Sequence, residues 1–188
     1  MIDLDVFEQA ILFAVERHAG MVRKGTEIPY ITHPMEAAAI VATMTNDKEV
    51  LAAAVLHDVV EDTPTTIEEV RQRFGDRVAS LVAYESENKR TDLPASETWL
   101  IRKQETVDLL KKTTDKAEKM LVIGDKLSNI RGLCRDYARL GEQVWERFNV
   151  KDKTMHAWYY TSIVEAISDM SDTPAWQELD ALVRRTFG

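Results

Sequence analysis

The sequence predicts an all-α fold, on three observations. Apolar residues recur at steps of three and four along most of the chain, as in Leu4, Phe7, Ile11 and Ala14, the period that turns one face of a helix toward a core. No stretch alternates apolar and polar residues over a length that makes a convincing strand. Helix start and stop signals punctuate the pattern, among them Thr66 with Glu69, Gly75, Ser96 and Gly141. With 188 residues the chain suits one core, so residues 1–188 are expected to form a single compact multi-helix domain of about eight to ten helices.

The elements follow in order. A first amphipathic helix covers Leu4 to His18. The segment from Gly20 to Thr32, with Gly25 and Pro29, reads as irregular. His33-Pro34 opens a second helix, with Pro34 at the first helical position, and Ala37 and Ala38 allow a neighbour to pack closely. After Asn46 and Asp47 an apolar run from Val50 to Leu56 leads into His57. Thr63-Pro64 ends that helix. Thr65 with Glu68, or Thr66 with Glu69, offers a capping box for the next, which Gly75 stops. Further helices are expected over Arg77–Tyr84, Ser96–Lys112, Thr114–Gly141, Glu142–Phe148, Asp152–Met170 and Pro174–Phe187, with a polar loop from Glu85 to Ala95. Trp99, Trp145, Trp158 and Tyr159 occupy helix-packing positions.

Composition narrows the function. Net charge is −8, which argues against nucleic acid or an anionic membrane as partner, since both need a basic surface. Apolar stretches are too short to span a bilayer. A single cysteine, Cys134, excludes an intrachain disulfide and fits a reducing compartment. No secretion signal is visible, so a cytoplasmic protein is expected. Oligomeric state stays open.

The chemistry concentrates in the run His57-Asp58-Val59-Val60-Glu61-Asp62 at the end of the apolar stretch. Buried imidazoles and carboxylates need a partner to offset desolvation, and a metal ion is the usual one. In a helix His57 and Glu61 share a face, as do Asp58 and Asp62. Two further candidate ligands lie elsewhere. A lone histidine such as His33 at a helix start is ordinarily a satisfied polar residue. Asp125 is harder to set aside: it sits mid-helix among apolar residues, where an unpaired carboxylate is costly, and Gly124 beside it permits close approach. Nitrogen and oxygen donors without thiolate suit Mn, Fe, Co or Zn better than Ca or Mg. Glu61 and Asp62 lie at a helix C-terminus, where the macrodipole disfavours carboxylates, and this too points to a nearby cation.

Three segments resemble the HD metal-dependent phosphohydrolases, and within them the alarmone hydrolases of the Rel/Spo type. They are Arg23 to Pro34, Ala54 to Thr63 and Asp125 to Arg131, and the similarity extends over roughly residues 5 to 165. The resemblance implies an HD domain holding one divalent ion, Mn(II), on His33, His57, Asp58 and Asp125. It implies hydrolysis of the 3′-pyrophosphate of ppGpp or pppGpp, with Glu61 and Asp62 acting jointly on water and on the leaving oxygen. It also implies a nucleotide site lined by Arg23 and Lys24, the arginine stacking on the base, with Asn129 against the nucleotide. Lys89, Arg102, Lys103, Lys126 and Arg131 complete the candidate cationic ring. His18 reads as a core histidine or one standing behind the ligands.

Two stretches depart from the large two-domain relatives. The link from Arg23-Lys24 to His33 is one residue longer, and Ala83 to Lys89 replaces a glycine- and threonine-containing version. Both fall where the base would be read. The alternatives are therefore an HD phosphohydrolase for another nucleotide, such as an adenine alarmone or a nucleoside phosphate, and a non-catalytic nucleotide sensor. The acid pair argues against the sensor.

Overall fold

Local capping sets the first helix. The Asp5 carboxylate accepts from the Glu8 amide at 3.0 Å and the Glu8 carboxylate accepts from the Asp5 amide at 2.9 Å, a reciprocal pairing of the kind that stabilises a helix start by about 1 kcal/mol. Helix α1 (Val6–Arg17) follows. The structure is a computed structural model describing residues 3–90 and 92–188. Among these residues it is helical without strands, with α2 (Thr32–Val41), α3 (Lys48–Leu56), α4 (Val59–Asp62), α5 (Ile67–Phe74), α6 (Asp76–Glu85), α7 (Ala95–Leu110), α8 (Lys116–Leu140), α9 (Lys153–Ala166) and α10 (Pro174–Phe187). The all-α expectation holds.

Differences from the expected boundaries have local causes. Helix α2 begins at Thr32, so Pro34 is the third helical residue. This is tolerated because the first amides of a helix have no intrahelical acceptor. At α5 the choice falls on Thr66, whose hydroxyl accepts from the Glu69 amide at 3.2 Å. The Glu69 carboxylate pairs with Arg17 at 2.7 Å. Gly75, with φ of 91°, ends α5 in a conformation other residues rarely adopt. Helix α7 starts at Ala95 after Pro94, which places Ser96 inside it. The stretch Gly141–Arg147 is a 3₁₀ helix.

The chain divides into two compact units, one of Met1–Ser86 with Lys116–Asp125, the other of Glu87–Asp115 with Lys126–Gly188. In the first, α3 packs against α1, α2 and α6, and α5 packs against α6. Every residue from Val50 to Leu56 is buried, and burying each large aliphatic side chain contributes roughly 1.5–3 kcal/mol. Phe13 and Phe74 meet edge to face at 5.4 Å. In the second unit α9 packs against α7 and α10. Trp99, Trp145 and Tyr159 are buried there, and Trp145 stacks on His156 at 5.2 Å, so these aromatics do pack helices. No helix among the described residues is long and apolar enough to cross a membrane.

Gly124 on α8 meets α2 closely. A Cβ added there would lie 2.7 Å from Val41 Cγ2 and 2.9 Å from the Ala37 carbonyl oxygen. Gly124→Ala gains about 1 kcal/mol of helix propensity but forces the backbone of α2 away, and such overpacking costs about 1–3 kcal/mol. A carbonyl oxygen cannot rotate aside, so the clash is expected to win. The thermal midpoint of Gly124→Ala should fall by several degrees, read by circular dichroism. An unchanged or raised midpoint would show that α2 and α8 are not held at this spacing.

Candidate functional site

The buried apolar helix α3 carries His57 to its end, where the imidazole is 3% exposed. There the backbone departs from the single helix the sequence suggests. Helix α3 stops at Leu56, and Asp58, with φ of −94° and ψ of −7°, precedes the separate turn α4. The Ala54 carbonyl, which a continuing helix would pair with the Asp58 amide, accepts from His57 Nδ1 at 2.8 Å. That bond puts the proton on Nδ1 and leaves Nε2 as the donor atom toward a cation, the arrangement ordinarily found behind metal-binding histidines. One consequence corrects the sequence reading. Glu61 and Asp62 belong to a four-residue turn, too short for a macrodipole to act on them, so that inference for a cation falls away. The pairing of Asp58 with Asp62 survives, because the Asp62 amide still donates to the Asp58 carbonyl at 2.9 Å.

Helix α2 supplies His33 at its first turn, also 3% exposed. Its Nε2 lies 3.2 Å from His57 Nε2. Asp58 Oδ2 is 3.0 Å from His57 Nε2 and 3.3 Å from His33 Nε2. From α8, Asp125 Oδ1 comes within 3.1 Å of His33 Nε2 and 3.7 Å of His57 Nε2. Three separated stretches thus converge on one point. His33, His57 and Asp58 offer ligand atoms all within 4.8 Å of one another, and Asp125 adds a carboxylate facing both imidazoles. Two buried imidazole nitrogens and two carboxylates with no thiolate form a donor set that fits a divalent transition metal. The close contact at Gly124 explains how Asp125 reaches this point from α8.

The electrostatics agree. Burial opposes charge on His57, but the carboxylates of Asp58 and Asp125 outweigh it and hold the imidazole well above its usual range. Burial likewise opposes ionisation of Asp58, and His57 with His33 overcomes it, keeping that carboxyl well below the usual range. The imidazoles and carboxylates thus stabilise one another's charged forms within a buried cluster.

Tyr30, which sequence reasoning did not single out, belongs to the site. Its hydroxyl lies 2.7 Å from Asp58 Oδ2 and 2.8 Å from Asp62 Oδ2. Burial, with Asp58 and Asp62, raises its pKa far above the usual phenol range, so it stays a donor. The only hint in the sequence is its place between Pro29 and His33, and nothing local there predicts contact with residues about thirty positions on. The loop before it is closed by the Arg23 amide on the Ile28 carbonyl at 2.8 Å and the Tyr30 amide on the Met21 carbonyl at 2.8 Å. The Arg23 guanidinium sits over the Tyr30 ring at 5.5 Å, and Lys24 is exposed. His18 is buried against the same ring, ring to ring at 5.0 Å, which fits a histidine standing behind the ligands.

The remaining predicted residues lie in the second unit. Lys126 follows Asp125 on α8, and its ammonium lies 5.8 Å from the centre of the Tyr159 ring. Asn129 is half-buried one turn further along. Arg131 forms a two-pronged pair with Glu178 at 2.7 and 2.6 Å, so it would have to share its guanidinium with a nucleotide. Lys89 is half-buried in the stretch between α6 and α7. The half-buried Glu87 carboxylate accepts from Arg102 at 2.7 Å and Lys103 at 2.6 Å, so both cations have a structural partner. Against the cost of its burial, Lys103, Lys126 and Arg102 hold Glu87 below the usual carboxylate range.

Comparison with known proteins places this geometry. The HD domain profile matches residues 10–154. A guanosine-3′,5′-bis(diphosphate) 3′-pyrophosphohydrolase of Aquifex aeolicus is 36% identical over 126 residues, covering 67% of this chain and 17% of the relative. The bifunctional (p)ppGpp synthase/hydrolase SpoT of Escherichia coli is 53% identical over 74 residues, covering 39% of this chain and 10% of that protein. The chain therefore spans less than a fifth of the length of these curated relatives. Among solved structures, a metazoan orthologue of SpoT that hydrolyses ppGpp superposes with a TM-score of 0.74 at 26% identity, over 98% of this chain and 97% of that one. A Listeria monocytogenes protein gives 0.73 at 32% identity, over 87% of this chain and all of its own. By the extent of the profile match and the histidine and aspartate residues that converge within it, the chain belongs to the HD-domain family.

Proposed function

We propose that the chain is a metal-dependent hydrolase that releases pyrophosphate from the 3′ position of ppGpp or pppGpp, leaving GDP or GTP. The observation that carries this reading is the convergence of His33, His57, Asp58 and Asp125 next to Asp62. The relatives named for the same reaction support it. His33, His57, Asp58 and Asp125 would hold the ion, Mn(II) in this reading, and a divalent ion supplies Lewis acidity toward phosphoryl oxygens and acidifies water. Glu61 and Asp62 position a water and take its proton as its oxygen bonds to phosphorus. The bond from that phosphorus to the ribose 3′ oxygen breaks, and a proton returns to the 3′ oxygen. Arg23 and Lys24 bind the nucleotide, with the guanidinium presented to the base, and Lys89, Lys126, Asn129 and Arg131 bind its polar groups. The substrate is a small nucleotide rather than nucleic acid, in keeping with the net charge of −8. The lone Cys134 supports a cytoplasmic setting.

The test is incubation with Mn(II) and ppGpp, pppGpp, ppApp or mononucleotides, with products separated by anion exchange. Pyrophosphate should appear with GDP or GTP, and chelation should stop it. Orthophosphate as the product would replace this reading with a simple phosphatase, and turnover confined to ppApp would move the substrate to an adenine alarmone.

A further inference from the structure

Tyr30 links two groups with separate tasks in the proposed reaction. Its hydroxyl lies within hydrogen-bond reach of Asp58 Oδ2 and Asp62 Oδ2 at once, at 2.7 and 2.8 Å. Asp58 Oδ2 is also the oxygen facing both imidazoles. The Arg23 guanidinium sits over the ring of Tyr30 at 5.5 Å. Against the ring packs His18, 2% exposed, neither of whose nitrogens has a hydrogen-bond partner among the described residues. Polar groups buried this way are uncommon. His18 contributes here as a packed ring, and its burial keeps it neutral despite Asp58 and Asp62. The tyrosine is thus clamped by its ring and bonded by its hydroxyl. Such constraint is what a group needs if it is to hold a reacting carboxylate within a fraction of an ångström.

We propose that Tyr30 is the positioning residue of the site: its hydroxyl ties the Asp62 carboxylate to the metal-facing oxygen of Asp58, and its ring seats Arg23. One side chain then sets the spacing between the ion, the acid that acts on water and the arginine that receives the base. This rests on the hydrolase reading above, and it adds a division of labour within one residue. The hydroxyl serves the chemical step, and the ring serves nucleotide binding.

Tyr30→Phe keeps the ring and removes the hydroxyl, whereas Tyr30→Leu removes both. In Tyr30→Phe, kcat for ppGpp should fall about 10–100-fold, the usual effect of losing a hydrogen-bond partner behind a metal ligand, while KM stays within about twofold. Tyr30→Leu should show the same loss in kcat together with a raised KM. Mn(II) titrated calorimetrically into each metal-stripped protein should bind Tyr30→Phe about tenfold more weakly than the wild type. A residue that merely filled space would lower the thermal midpoint without separating kcat from KM. Wild-type kcat in Tyr30→Phe, or wild-type Mn(II) affinity in it, overturns the proposal. The calorimetric arm needs no turnover, so it still reads the tether if the wild type proves to hydrolyse none of the nucleotides, an outcome that would sink the hydrolase reading instead.

Discussion

Glu61→Gln combined with Asp62→Asn is expected to abolish pyrophosphate release while nucleotide binding survives. Both substitutions keep side-chain size but remove the negative charge, replace one acceptor oxygen by an amide donor and abolish the ability to take a proton. Positioned acid–base groups contribute roughly 10²–10⁴-fold to a rate, so losing the pair should lower kcat by at least that range. Asp62 is held by the Tyr30 hydroxyl at 2.8 Å beside Asp58. The four residues proposed to hold the ion are unchanged in the double variant, so Mn(II) binding should persist in it. Undiminished turnover in it would remove the pair from the mechanism and leave the site without a base.

His57→Ala should abolish metal binding and turnover together. The imidazole is buried, its Nδ1 is committed to the Ala54 carbonyl, and its Nε2 lies within 3.7 Å of His33, Asp58 and Asp125. Its removal leaves His33 as the one imidazole of the cluster facing Asp58 and Asp125. The loss should exceed the roughly 10–100-fold that follows from removing a group behind a ligand. The same site predicts a pH dependence with a definite sign. Asp58 and Asp125 raise the pKa of His57 well above its ordinary value in the metal-free protein, so a proton occupies the nitrogen that must bind the ion. That proton has to leave, and Mn(II) affinity should rise with pH until His57 titrates, by about tenfold per unit for one proton released. Calorimetry in buffers of different ionisation enthalpy would count the protons. Affinity independent of pH between 6 and 8, taken as a rough working range for histidine titration, would mean that the ion does not displace a proton here.

Much of the site was legible in the sequence because its donors are chemically conspicuous. His57 and Asp58 end a run of seven buried apolar residues, and Asp125 interrupts another, where a carboxylate needs a reason to be. Coordinates bring these together with His33, as the resemblance to HD phosphohydrolases implied. Tyr30 escaped notice because a tyrosine in a loop carries no periodic signal, and its contacts lie 28 and 32 positions away. The cationic ring was the least readable part. Lysines and arginines are mostly surface residues by composition, and only coordinates show that Arg131 pairs with Glu178 and that Arg102 and Lys103 converge on Glu87.

The sequence by itself determined the helical class and the register of most helices. Apolar period, caps such as Asp5 and Thr66, and stops such as Gly75 act within a turn or two of chain. Tertiary structure alone decided the break after Leu56, the close seating of Gly124 on Ala37 and Val41, and the Tyr30 bridge. The seating of Gly124 and the Tyr30 bridge are contacts between distant stretches, and the break after Leu56 turns His57 toward His33 from another helix. All three are settled by which surfaces meet, and short-range patterns carry no information about that.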